Sequence, residues 1–137
     1  MTRSIVLAAP VRTAIGTFGG TLKDTTAADL GAAAIAAAVA RAGLKPAEIG
    51  TVVMGNVVQA GSKMNPARQA AIKAGLPVAV PAMTVNRVCG SGAQAIVSAA
   101  HEPMCLSPYG SQRPSLIIES TRVPLPIRRP VRALSSR

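Results

Sequence analysis

At 137 residues the chain has room for one domain, and with 49% apolar residues but one Phe, one Tyr and no Trp, its core has to come from Ala, Val, Ile and Leu. The net charge of +10 raises nucleic acid as a partner, yet the bases of residues 1–102 are scattered singly with almost no aromatic residue to stack on, which argues against a specific nucleic-acid surface. Two cysteines and one histidine exclude a disulfide framework and a metal-ligand cluster, and no apolar run is long enough to cross a membrane.

The first predicted element is a strand over residues 4–9, a β-prone run closed by Pro10. It is too short for the core of a secretory signal, so a soluble, reducing, cytoplasmic setting is expected. Gly16, Gly19 and Gly20 mark a loop. An Ala-rich helix then runs to Ala42, with Thr25 or Thr26 as its cap, Asp29 in its first turns and Gly43 as its stop. Leu30, Ile35 and Val39 fall on roughly one face of it among small residues, which suits close packing on a sheet. Pro46 marks a turn, and residues 51–54 read as a second strand ending at Gly55. The next helix opens with Asn65 as cap and Pro66 in first position, and ends at Gly75. Residues 81–88 read as a third strand and residues 90–100 as a third helix. The alternation βαβαβα implies an α/β fold with mainly parallel strands.

Composition changes near residue 102. Nearly all the alanines and glycines precede it, whereas the last 35 residues hold six Pro, six Ser and six Arg. Prolines at that spacing forbid a long helix. Residues 1–102 are therefore read as one partial domain and residues 103–137 as an irregular or disordered tail.

Chemistry concentrates in Val85-Asn86-Arg87-Val88-Cys89-Gly90-Ser91-Gly92-Ala93, where a β-prone run meets small residues and then a helix-prone segment. Cys89 is thereby placed beside the positive end of a helix dipole, a setting in which thiols are exposed and reactive. Gly90 and Gly92 let backbone N–H groups approach a bound oxyanion. From the residues alone, a buried structural cysteine on a tight turn fits equally well. Arg12, Arg68 and Arg87 suit anionic phosphates or a partner subunit, or else structural, solvated roles, which are the commoner use of surface arginines. Asn86 either orients the cysteine loop or satisfies backbone groups at a strand end.

The stretch Asn86-Arg87-Val88-Cys89-Gly90-Ser91-Gly92-Ala93-Gln94-Ala95-Ile96 resembles the active-site cysteine signature of the thiolases. Ala9-Pro10-Val11-Arg12-Thr13-Ala14-Ile15-Gly16, Met54-Gly55-Asn56-Val57-Val58-Gln59-Ala60-Gly61 and Asn65-Pro66-Ala67-Arg68-Gln69 resemble three earlier blocks of that family, in order and at matching separations. The resemblance covers roughly residues 3–102. It implies the first part of a thiolase-like domain, an incomplete mixed sheet layered with helices. It also implies acyl transfer between coenzyme A thioesters through an acyl-enzyme on Cys89, making or cleaving 3-ketoacyl-CoA, with no covalently bound cofactor. The backbone N–H of Cys89 is expected to contribute to the oxyanion hole. The family's histidine of a Gly-His-Pro motif and second cysteine of a Cys-x-Gly motif have no counterpart here, and His101 and Cys105 sit in neither motif.

Partners implied are an acyl-CoA substrate and either a second copy or a thiolase subunit. Beyond residue 102 the likeness fades to a faint echo of a Glu-Ser block at Glu119-Ser120. The switch to Arg, Pro and Ser is what out-of-frame reading of a GC-rich gene gives. The expectation is a truncated or frameshifted form, inactive alone, with a non-catalytic fragment that docks a thiolase subunit as the alternative.

Overall fold

Local chemistry brackets helix α1 (Ala27–Ala42) at both ends. The Thr26 hydroxyl accepts the Asp29 N–H at 3.1 Å, and Gly43 closes the helix at φ 68°, a conformation that L side chains resist. In the structure, a computed structural model that describes residues 5–105 and 115–119, α1 is the first regular element. A 3-10 turn (Pro46–Glu48) leads to strand β1 (Thr51–Gly55), helix α2 (Pro66–Lys73), strand β2 (Ala82–Val85), helix α3 (Ser91–Cys105) and strand β3 (Ser115–Glu119).

The strands form one sheet in the order β2-β1-β3. Both pairings are parallel, running from Val52↔Ala82 to Gly55↔Val85 on one side of β1 and from Thr51↔Ser115 to Gly55↔Glu119 on the other. Every residue of β1 is buried, which is why it reads as a continuous run rather than an alternation. Val52 and Met54 face α1 and α2, where they pack with Ile35, Val39, Ala67 and Ala70. Val53 faces the other way, against Ala95 and Ala99 of α3. The result is an α/β layering with helices on both faces of a parallel sheet.

Three expectations are corrected. Residues 5–9 are not a strand: Ile5, Val6 and Leu7 are exposed, and Ala9 leaves the extended region at φ 52°. Both sides of β1 are already taken, so a β-prone run there has no central position to fill. Leu30 is half-buried, and the face that α1 buries is Ala28, Gly31, Ala34, Ile35, Ala38 and Val39. Within 103–137, read as irregular, α3 runs on to Cys105 and residues 115–119 form β3. The run Leu116-Ile117-Ile118 is β-prone, and the edge of β1 supplies the partner that composition alone does not reveal. Residues 106–114 and 120–137, with the rest of that expectation, lie outside the described residues.

Candidate functional site

Cys89 lies in the turn between β2 and α3, and it is exposed. The turn is held from both sides. Asn86 at its start donates from Nδ2 to the Val57 carbonyl at 2.9 Å, and its Oδ1 accepts the Val88 N–H at 3.0 Å. Ser91 at its end is fully buried; its Oγ accepts the Arg87 N–H at 2.9 Å and donates to the Val88 carbonyl at 2.7 Å. Backbone bonds from Gly90 to Arg87 (2.9 Å) and from Ser91 to Val88 (3.1 Å) complete the reversal.

Val88, immediately before the cysteine, has φ 47°. For a β-branched residue this is a strained conformation, costing on the order of 1–3 kcal/mol. Packing does not compensate, because Val88 is 65% exposed. The position of α3 depends in turn on Gly55 at the end of β1. A Cβ there would stand 2.6 Å from the Ser91 carbonyl carbon and 2.8 Å from the Gly92 nitrogen. The missing side chain is what lets the start of the helix abut the strand.

The arginines separate into local roles. Arg68 donates to the carbonyls of Val80 (2.6 Å) and Val78 (2.7 Å), bracing the segment before β2. Arg87 reaches Gln94 Oε1 at 3.1 Å, and Arg12 donates to the Thr13 carbonyl at 3.2 Å. Asn65 caps α2, accepting the Arg68 N–H at 3.2 Å, and ties it to β2 through the Ala82 carbonyl and the Thr84 hydroxyl. His101 is exposed on α3, ten positions past Ser91 and so about 15 Å along the helix axis; Cys105 is the helix's last residue. The structure thus does not bring His101 into the turn.

Sequence reasoning assigns no separate role to Val88, Ser91 or Gly55, although all three fall within the cysteine stretch or at a strand end. The signals available were a serine directly after a glycine at a helix start and a glycine closing a buried strand. Among the described residues, no group of three His, Cys, Asp or Glu side chains is placed to hold a metal, and no helix is long and apolar enough to cross a membrane.

Residues 5–106 match the family model described as thiolase, N-terminal domain. An acetyl-CoA acetyltransferase of Cupriavidus necator is 56% identical over 100 residues, covering 73% of this chain and 25% of that protein. A probable acetyl-CoA acyltransferase of Staphylococcus aureus is 58% identical over 96 residues, covering 70% of this chain and 24% of its own length. The chain therefore spans about a quarter of the length of these relatives.

Proposed function

The chain belongs to the thiolase family through its N-terminal domain, and on that premise we propose that Cys89 is the acyl-accepting nucleophile of thiolase-type acyl transfer. The observation that carries the reading is an exposed cysteine on a strained turn at the head of a 15-residue helix, inside the matched region. Backbone strain of this kind collects at sites where a side chain must be presented in one orientation.

The substrate class is a coenzyme A thioester, with acetyl the acyl group that the relatives' names indicate. Cys89 Sγ attacks the carbonyl carbon, the new Sγ–C bond forms, and the bond to the coenzyme A sulfur breaks. The thiol proton ends on the released coenzyme A, and nothing is oxidised or reduced. The Cys89 N–H is the expected donor to the oxyanion. The reducing cytoplasm suits such a thiol, in acyl-chain metabolism of the fatty-acid type. No Gly-His-Pro or Cys-x-Gly motif lies within these 137 residues. By themselves they are expected to stop at the acyl-enzyme and not to turn over 3-ketoacyl-CoA.

Incubation of the full chain with acetyl-CoA, read by intact mass and peptide mapping, tests this. One acetyl group on Cys89, absent in Cys89→Ala, is the expected result. An unmodified chain, or an adduct that survives Cys89→Ala, would overturn the assignment.

A second reading, a non-catalytic piece that docks a thiolase subunit, is favoured by the exposure of Val58 (74%) and Val88 (65%) in the two segments that Asn86 bridges. Co-purification with a full-length thiolase would support it, and its failure at micromolar concentrations of both chains would remove it.

A further inference from the structure

We infer that Asn86 and Ser91 are positioning residues that hold Val88 in its left-handed conformation and so aim Cys89 for acyl transfer. The inference rests on the nucleophile reading of Cys89. Val88 has no packing reason to stay at φ 47°, since its side chain is mostly in solvent. What holds it is polar. Its N–H is taken by Asn86 Oδ1 at 3.0 Å, and its carbonyl by Ser91 Oγ at 2.7 Å.

Each holder is itself fixed at the end of β1. Asn86 is anchored through Nδ2 to the Val57 carbonyl, in the segment that follows β1. Ser91 is buried where the start of α3 abuts Gly55. The two side chains therefore transmit the position of β1 to both backbone groups of the residue before the cysteine. If Val88 relaxed to the ordinary negative-φ basin, the chain at that bond would rotate by roughly 110°. Such a rotation redirects the Cys89 Cα–Cβ bond away from its present line. A misplacement of about 1 Å at a reacting atom lowers a rate about 100-fold.

The test uses the full 137-residue chain with acetyl-CoA as the probe. Asn86→Ala is expected to acetylate at Cys89 about 100-fold more slowly than the unmodified chain. Adding Val88→Gly to that variant is expected to restore at least roughly a tenth of the original rate, because glycine adopts positive φ without help. Asn86→Asp keeps the acceptor for the Val88 N–H and should retain more activity than Asn86→Ala. An Asn86→Ala chain that acetylates at the original rate overturns the inference. So does a double variant as slow as Asn86→Ala, since the lost element would not then be the backbone conformation.

Amide hydrogen exchange separates this inference from the nucleophile reading. If the unmodified chain takes no acetyl group, that reading fails, and the hold on Val88 is still measured by its amide. A protected Val88 N–H that loses protection in Asn86→Ala supports the hold. A Val88 N–H that exchanges in the unmodified chain like a free amide overturns it, whether or not any variant folds.

Discussion

Asp29 stands in the first turn of α1, where it meets the Lys73 ammonium of α2 and the Thr26 hydroxyl. The hydrogen bond from Lys73, then that from Thr26, holds its carboxyl below the usual carboxylate range. With the folded value depressed, the stabilising contribution is present above the unfolded carboxylate pKa of about 3.9 and is lost as pH falls through the lower folded value. Asp29→Asn is therefore expected to lower the melting temperature slightly at pH 7, with the difference from the parent closing below about pH 4. Melting curves from pH 7 to 2.5 check it, and a pH-independent difference would assign the loss to helix-start geometry rather than charge. Thr26→Ala removes the cap itself and should cost about 1 kcal/mol in denaturant unfolding.

At the scale of elements, the junction between β1 and α3 is the sensitive one. Gly55→Ala places a methyl against backbone atoms of Ser91 and Gly92, which have no flexible side chain to give way. It is expected to cost about 3 kcal/mol and to raise exchange at the α3 amides before those of α1. Equal acceleration in both helices would show that the strain is absorbed elsewhere. Helix α2 was legible in the sequence because Asn65 and Pro66 act on their own neighbours, and α1 because Thr26 and Gly43 do the same. The placement of Cys89 between a strand and a helix was legible for a similar reason: small residues follow a β-prone run. Residues 5–9 and β3 were not, since a strand is decided by its partner and the partner of β3 lies more than sixty positions away. The holding role of Ser91 was not legible because its bonds to Arg87 and Val88 exist only once the turn has closed.

For the molecule as a whole, the central strand is shared property. Ile35 of α1 is fully buried in the cluster that joins α1, β1 and α2, so its truncation is felt by all three. Ile35→Ala is expected to cost about 3 kcal/mol, and probes on α1 and on α3 should report the same unfolding midpoint. Separate midpoints would mean that the two faces of the sheet unfold independently. The order β2-β1-β3 also has a consequence in time. Synthesis at about 5–20 residues per second puts a few seconds between the emergence of β2 and that of β3. Throughout that interval the far edge of β1 waits for a strand not yet made, an open invitation to chaperones and to neighbouring nascent chains. Of the two neighbours of β1, β3 is the last to leave the ribosome, and its arrival ends the chain's most vulnerable moment.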